Sequence, residues 1–188
     1  MPRLSDLLSD PAQKQRLDSL RSRGKKTNTR PARKKKAPPR KQPLLLPDFV
    51  AVDVETTGLD AKKDRIIELG AGKFSGGAPH REFSSLANPG MPLPPLTTDL
   101  TGIAPGDVES APPFAQIARD LLDFIGTVPL CGHQVDFDIN FINTELKRTG
   151  NKPLQNTPCD TAGLSRIMLP ALSHYNLGHV ARSLDVGI

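Results

Sequence analysis

Two carboxylates lie two residues apart among valines, at Asp53 and Glu55 in the run V-A-V-D-V-E-T-T-G-L of residues 50–59. Side chains two apart on a β-strand project from the same face, so both acids would point one way and the valines the other. Adjacent carboxylates repel each other, and burial increases the cost. A divalent cation with oxygen ligands would offset this repulsion. The spacing therefore predicts a metal site on a β-strand.

The alternative explanation of this alternation is an edge strand whose polar residues face water. The flanking valines favour instead a strand that is buried on both faces. Gly58 follows the two acids, and a glycine at this place predicts that the backbone turns sharply at the end of the strand.

A second acidic segment, G-H-Q-V-D-F-D-I-N-F-I, spans residues 132–142. Its pattern predicts a short strand, a loop and then a helix with Asp138 in the first turn, where the helix dipole favours a carboxylate. Asp136 or Asp138 could instead serve only as a helix cap. By itself this segment does not identify a reaction.

The elements that must position these residues begin with strands and continue with alternating helices and strands. Periodicity predicts strands at residues 49–54, 65–74, 79–86 and 128–131, with a hairpin turn at Gly76-Gly77. Helices are predicted at residues 115–125, 136–148, 161–168 and 177–184. Residues 88–113 are rich in Pro and Gly and predict a loop. This order predicts an α/β fold in which a mixed sheet is flanked by helices.

The charge divides the chain into two parts. Residues 1–47 hold 14 Lys/Arg and 3 Asp/Glu, a net charge of +11, whereas residues 48–188 hold 11 and 17, a net charge of −6. We therefore expect a basic, largely disordered arm at residues 1–47, with a short helix after Pro11, and a folded domain at residues 48–188. The arm is either a solvated tail or a nonspecific anchor for phosphates.

Several classes of protein are disfavoured by the composition. Cys131 and Cys159 are too few for a disulfide framework, and their spacing does not form a metal-binding motif. The longest aliphatic run is Leu44-Leu45-Leu46, so we expect no membrane-spanning helix. The first ten residues contain acids and no apolar stretch, which disfavours a secretory signal. A cytoplasmic protein is the resulting expectation.

An ordered set of short motifs connects these observations to a known family. The motif of residues 53–59 is followed by Phe83-Ser84, Asn88-Pro89-Gly90, Leu100-Thr101-Gly102-Ile103, Ala111-Pro112-Pro113-Phe114 and His133…Phe137-Asp138…Phe141. From residue 49 onward the chain resembles the DEDD exonuclease superfamily. Within it, the resemblance is to the group that contains the proofreading epsilon subunit of bacterial DNA polymerase III and the exonuclease domain of the Gram-positive replicative polymerase.

The resemblance implies a ribonuclease H-like fold and 3′→5′ hydrolysis of nucleic acid to nucleoside 5′-monophosphates. It assigns Asp53, Glu55 and Asp138 as catalytic carboxylates that bind two Mg²⁺ or Mn²⁺ ions. It also implies contacts with the terminal nucleotide at Thr57, Gly58, Leu59, His133 and Phe137. Asp160 matches a residue that precedes a helix without binding metal, so we interpret it as a helix cap.

The family's third motif is His-x4-Asp at the start of a final helix. His133 and Asp138 have this spacing, but Phe137 and Phe141 place them in the second motif, and no later histidine has it. The third motif would follow a segment like residues 175–188, where the sequence ends. His174 and His179 lack an aspartate five residues further on, and we interpret His179 as a packing or surface residue. We therefore expect a C-terminally truncated fragment with weak or no activity. The alternatives are an RNA-trimming exonuclease of the same fold and a non-catalytic module that binds nucleic acid or a partner.

The expected substrate is a single-stranded or frayed 3′ end of DNA, with RNA as the alternative. A DNA polymerase subunit and a sliding clamp are candidate partners, and a membrane is not. Residues 42–46, Q-P-L-L-L, faintly resemble a clamp-binding peptide, although a linker into the first strand explains them more simply. If the source is a bacterium, we expect association with the nucleoid.

Overall fold

A computed structural model describes residues 47–187 of the chain, and the structural statements below concern this part. The predictions for the arm, for its short helix and for the clamp-like peptide lie outside the described residues, apart from Pro47.

One mixed sheet of five strands forms the centre of the domain, in the order β3-β2-β1-β4-β5. The strands are β1 (Phe49–Thr56), β2 (Ile66–Ser75), β3 (Ala78–Leu86), β4 (Leu130–Gly132) and β5 (Pro158–Asp160). β1, β2 and β3 are antiparallel, whereas β4 runs parallel to β1 and β5 runs parallel to β4. The predicted mixed sheet is confirmed. β1 lies at its centre, so the edge-strand alternative is wrong.

Six helices occur in the part of the chain that the structure describes. They are α1 (Pro95–Thr101), α2 (Pro105–Glu109), α3 (Phe114–Ile125), α4 (Asp136–Arg148), α5 (Thr161–Met168) and α6 (Leu177–Ser183). The four predicted helices correspond to α3–α6 and agree with them to within one residue at each end. The hairpin turn between β2 and β3 is also confirmed, with positive φ at both Gly76 and Gly77.

The main core lies between one face of the sheet and helices α3 and α4. Val50, Val52 and Val54 point into it from β1 and are buried. The helices contribute Phe114, Ile117, Leu121, Ile125, Phe141, Ile142 and Leu146. Each large apolar side chain buried in this way stabilises the fold by about 1.5–3 kcal/mol relative to exposure.

The other face of β1 is more open than the valines predicted. Asp53 is exposed, and Ala51 and Glu55 are only half-buried. The expectation of burial on both faces is therefore wrong. Alternation on a central strand requires only that one face be packed, and here that face is the valine face.

Two short helices occupy the segment that was predicted to be a loop. α1 and α2 both begin with proline at the first helical position, where proline's missing N–H is not needed. A bulge between β1 and β2 turns Ile67 away from the main core and toward Ile103 and Val108. This second apolar cluster holds the segment against the sheet. The high proline content of the segment, on which the loop prediction rested, does not indicate this contact.

The sequence analysis also missed β5, which has only three residues. Such a short strand has no periodicity of its own and forms because β4 offers it a partner. Within residues 47–187 no helix has the length and apolar character needed to cross a membrane.

Candidate active site

The open side of β1 is created by the shortness of β4. β1 pairs with β2 along its whole length, but with β4 only at Val50 and Ala51. The chain then leaves the sheet through residues 133–135 and enters α4. As a result, the part of β1 that carries Asp53 and Glu55 has no strand beside it on that side.

Asp138 fills this gap from the first turn of α4. Its carboxylate oxygen Oδ1 accepts a hydrogen bond from the backbone N–H of Val54 at 3.0 Å, and the residue is only 4% exposed. The N-cap of α4 is Val135, with no side-chain hydrogen bond to the helix end. The Asp138 carboxylate therefore bonds to the strand as well as to its own backbone N–H in the first turn of the helix, so capping is not its only contact.

The three carboxylates influence one another. Burial raises the pKa of Asp53, and burial together with the charges of Asp53 and Glu68 raises the pKa of Glu55. Burial raises the pKa of Asp138 to about 7; the charges of Asp53 and Glu55 add to this shift, and the Val54 N–H partly opposes it. Charge effects of this kind fall off with distance, so they indicate that the three acids lie near one another, whereas a shared site stays a prediction.

Glu68 is an acidic neighbour that the sequence analysis missed. It stands directly opposite Glu55 on β2. Like charges in a cross-strand pair destabilise a sheet unless something compensates them. The register that brings the two together depends on the bulge at Ile67, and no sequence signal reveals that register.

The three acids do not form a complete set of metal ligands in this structure. Within residues 47–187, no group of three or more His, Cys, Asp or Glu side chains is arranged to hold a metal ion. The metal site at Asp53, Glu55 and Asp138 stays a prediction.

A pocket of about 360 Å³ lies beside Glu55. Four of the five residues predicted to contact the nucleotide line it: Thr57, Gly58, Leu59 and Phe137. Leu59 is 86% exposed, whereas Thr57 is buried and forms part of the pocket wall. The other wall comes from the start of α1 and its surroundings, through Pro94, Leu96, Thr97, Leu100 and Thr101.

The α1 wall was missed by the sequence analysis. Leu96 and Leu100 are 66% and 77% exposed, so large apolar side chains stand at the rim of the pocket. The motif Leu100-Thr101-Gly102 could have indicated this wall, but the segment was predicted to be a loop, and a loop does not predict which way its side chains point. Thr97 joins the two walls, because its hydroxyl donates to the Thr57 carbonyl at 3.2 Å.

The fifth residue, His133, does not line this pocket. Its Nε2 lies 2.6 Å from the Tyr175 carbonyl, and its Nδ1 lies 3.2 Å from the Thr161 hydroxyl. A carbonyl only accepts, so Nε2 carries a proton and donates it. The ring thus ties β4 to the segment before α6, and its contact with a nucleotide stays a prediction.

Gly58 is needed for close approach of a side chain. A Cβ at this residue would lie 2.6 Å from Oδ2 of Asp64. The backbone bends at residues 57–59, as predicted, but the φ of Gly58 is not positive, so the close approach of Asp64 is the reason for the glycine. Asp64 cannot retreat freely, because its carboxylate accepts hydrogen bonds from the Asp60 N–H at 2.9 Å and the Thr57 hydroxyl at 3.3 Å.

Asp160 caps α5, as predicted. Its carboxylate accepts hydrogen bonds from the N–H groups of Ala162 and Gly163, and a third one from Gln134. Partial desolvation would raise the pKa of Asp160, but these three donors outweigh it and hold the pKa below the usual range. The same residue therefore fixes the helix start and the loop that follows β4.

The two cysteines lie opposite each other on β4 and β5, and both are free thiols. Burial, with a hydrogen bond to Cys159, raises the pKa of Cys131 to about 12. A thiol with so high a pKa is a poor nucleophile and a poor metal ligand.

A mixed sheet whose central strand carries acids beside an acidic helix start defines the ribonuclease H-like class of nucleases. The chain belongs to the RNase T exonuclease family, whose model matches residues 50–188.

Relatives in sequence are PolC-type DNA polymerases III of bacteria. The PolC-type DNA polymerase III of Oceanobacillus iheyensis is 40% identical over 138 residues, which cover 73% of this chain and 10% of the polymerase. That of Bacillus subtilis is 35% identical over 139 residues, with the same coverage of 73% and 10%. The chain thus spans about a tenth of the length of these relatives.

Solved structures of exonuclease I share the fold. The E. coli enzyme in complex with a dT13 oligonucleotide aligns with a TM-score of 0.66 and 19% identity, over 76% of this chain and 36% of that chain. The zinc-bound form of its complex with single-stranded DNA gives a TM-score of 0.66 and 18% identity over the same shares, 76% and 36%. Identities this low show the fold alone.

Proposed function

We propose that this chain is a metal-dependent 3′→5′ exonuclease domain that releases nucleoside 5′-monophosphates from DNA, in proofreading or repair. The observation that carries the proposal is the hydrogen bond that holds Asp138 against β1 between Asp53 and Glu55, with Glu55 lining the adjacent pocket. The relatives named above are DNA polymerases, and the structural neighbours bind single-stranded DNA, which supports DNA over RNA.

The donor set fits hard divalent cations such as Mg²⁺ or Mn²⁺. All three groups offer carboxylate oxygens, and burial raises the pKa of each, with neighbouring acids adding to the shift of Glu55 and Asp138. Two ions bound there would make a water molecule more acidic and stabilise the charge on the leaving oxygen. Asp53, Glu55 and Asp138 would hold them.

The pocket suits the last nucleotide of a strand. Phe137 and the exposed Leu59 offer flat and apolar surfaces against which a base can stack without regard to sequence. Thr57 and Gly58 present backbone close to Glu55. A base in this pocket would place its 5′-phosphate near the carboxylates, which is the orientation needed to remove one nucleotide at a time.

The proposed reaction also needs a group that takes a proton from the attacking water. The resemblance assigns this role to the histidine of the third motif, which is not among the 188 residues. Loss of a general base typically lowers a rate by ~10²–10⁴-fold. We therefore expect the 188-residue chain to cut weakly or not at all, and a longer form with a His-x4-Asp helix after α6 to cut well.

The test follows mononucleotide release from single strands labelled at the 3′ or the 5′ end. It uses Mg²⁺ and Mn²⁺, DNA and RNA substrates, and both the 188-residue chain and the longer form. We expect early release of the 3′ label from DNA by the longer form, and its loss in Asp53→Asn. Glu82→Gln, an exposed acid on β3, is the matched control.

Three results would contradict the proposal: early release of the 5′ label, unchanged cutting by Asp53→Asn, or cutting in the presence of excess chelator. Faster trimming of RNA than of DNA would favour the RNA-trimming alternative. If both forms bind DNA and neither cuts it, the non-catalytic module becomes the better interpretation. A polymerase or clamp partner, and a place at the bacterial nucleoid, belong to the same proposal.

A further inference from the structure

A buried ion-pair network ties α4 to the loop between β1 and β2. The Glu145 carboxylate is 1% exposed and accepts two hydrogen bonds from Arg65, at 2.6 Å from Nε and 3.0 Å from Nη2. Arg148 donates to the same carboxylate at 2.8 Å. Removing one partner from such a network leaves an uncompensated buried charge. The network is therefore a fixed link between the helix and the loop.

The two arginines hold the loop in different ways. Arg148 donates to three backbone carbonyls of the loop, at distances of 2.8–3.0 Å: those of Ala61, Lys62 and Asp64. Arg65 is bonded to Thr57 through its backbone. The Thr57 N–H donates to the Arg65 carbonyl at 2.9 Å, and the Arg65 N–H donates to the Thr57 hydroxyl at 3.1 Å. A shift of Arg65 must therefore move Thr57.

The same helix serves both sides of the candidate site. Asp138, at the start of α4, bonds to β1 through the Val54 N–H. Glu145 lies seven residues, about two turns, further along and controls the loop that carries Thr57. Thr57 is 3% exposed and forms the pocket wall. α4 therefore contacts both the strand that carries the acids, through Asp138, and the loop that carries Thr57, through Glu145.

We propose that Glu145 is a positioning residue for the terminal nucleotide. Through Arg65 it holds the pocket wall of residues 57–59 at a fixed distance from Asp53, Glu55 and Asp138. This inference rests on the proposed function, since it takes the pocket to be the nucleotide site. Glu145 touches neither the nucleotide nor the metal, and it acts only through the loop.

The experiment measures two affinities of the 188-residue chain, for Mn²⁺ alone and for thymidine 5′-monophosphate with Mn²⁺ present. In Glu145→Gln we expect the nucleotide affinity to fall on the order of tenfold, because small misplacements can cost up to ~10²-fold. The Mn²⁺ affinity should change by less than about twofold, since the Asp138–Val54 contact persists. Arg65→Lys keeps the charge but loses the bidentate geometry, and should give a smaller loss of nucleotide affinity.

Leu121→Ala is the control variant, because it lowers the stability of the fold but leaves the ion pairs of Glu145 with Arg65 and Arg148 intact. Leu121 is fully buried in α3, and its truncation lowers the melting temperature through the core. It should leave nucleotide affinity unchanged. If Glu145→Gln does not fold, Arg65→Lys carries the test.

Each outcome decides something different. Equal losses of nucleotide affinity in Glu145→Gln and Leu121→Ala would overturn the positioning role, and so would unchanged affinity in Glu145→Gln. A parallel loss of Mn²⁺ affinity would overturn it too, because the defect would then be general. If Phe137→Ala does not lower nucleotide affinity, the pocket assignment and the positioning role both fail, whereas the proposed function is decided separately by release of the 3′ label from the longer form.

Discussion

The carboxylate of Asp138 accepts a hydrogen bond from the Val54 N–H at 3.0 Å, and this contact joins the two acidic segments of the chain. Val54 stands between Asp53 and Glu55, at a place where β4 no longer pairs with β1. Asp138 therefore takes the position of a missing strand neighbour. This contact uses one carboxylate oxygen of Asp138, and we expect a cation to bind the other.

The stability of the metal-free protein should fall as the pH rises from about 4 to about 7. The pKa of Asp138 is about 7 in the folded protein and near 3.8 when unfolded. Between these values the folded state binds more protons than the unfolded state, so the free energy of unfolding decreases with rising pH. Asp53 and Glu55, whose pKa values are also raised, contribute with the same sign. Urea unfolding in EDTA across this range measures the slope.

Asp138→Asn should flatten this slope and stabilise the metal-free protein at neutral pH. The amide keeps an oxygen for the Val54 N–H and removes the buried charge. Glu82→Gln, on exposed β3, should keep the slope of the unaltered chain. Equal slopes in Asp138→Asn and the unaltered chain would show that the carboxylate is not the source of the pH dependence.

Mn²⁺ or Mg²⁺ should raise the melting temperature, and by more at pH 8 than at pH 5, because cation and protons compete for the same oxygens. A ligand that binds only the folded state at about 100 times its dissociation constant stabilises it by about 2.7 kcal/mol. Thermal unfolding with a metal titration measures the effect. The increase should disappear in Asp53→Asn and in Asp138→Asn but persist in Glu82→Gln. A persistent increase in both acidic-site variants would place the cation elsewhere.

Gly58→Ala should lower the free energy of unfolding by about 1–3 kcal/mol, the usual range for overpacking. The new methyl group would lie 2.6 Å from Oδ2 of Asp64, which is held by its own hydrogen bonds. Gly106→Ala in α2 is the matched control, because a Cβ there meets nothing within 4 Å. Urea unfolding of both variants measures the difference.

The double variant Gly58→Ala/Asp64→Ala identifies the cause. If the clash is responsible, the effects of the two substitutions will not add, because removal of the carboxylate makes room for the methyl group. Additive effects would mean that the glycine is needed for another reason.

Deletion of residues 1–47 should weaken DNA binding at low salt and flatten the plot of log affinity against log salt. The arm holds 14 Lys/Arg and no aromatic residue, so its contacts would be to phosphates rather than to bases. Its charge would offset the −6 of residues 48–188. Fluorescence anisotropy with a labelled single strand at several salt concentrations measures the slope. An unchanged slope would favour a role with a protein partner or in targeting.

Much of this architecture could be predicted from local sequence. The alternation of valines and acids at residues 50–55 fixed a strand with two chemically different faces. The apolar periodicity of residues 114–125 and 136–148 fixed the two helices that cover the valine face. The periodicity of strands and helices and the preference of turn residues depend only on residues near in sequence, so they can be recognised without knowledge of the fold. The Asp160 cap belongs to the same class of local signal.

The site itself depended on contacts between distant segments. Asp138 and Val54 are 84 residues apart, Arg65 and Glu145 are 80 apart, and Thr57 and Thr97 are 40 apart. α1 and α2 were hidden by prolines, and the pairing of Glu55 with Glu68 was hidden by a bulge. Such contacts arise when burial of the whole core decides which segments become neighbours. The sequence by itself therefore determined the acids and the strand and helix that carry them. Only the tertiary structure decided which backbone N–H binds Asp138 and which pocket wall lies opposite Leu59. Those contacts depend on packing between distant segments rather than on local propensity.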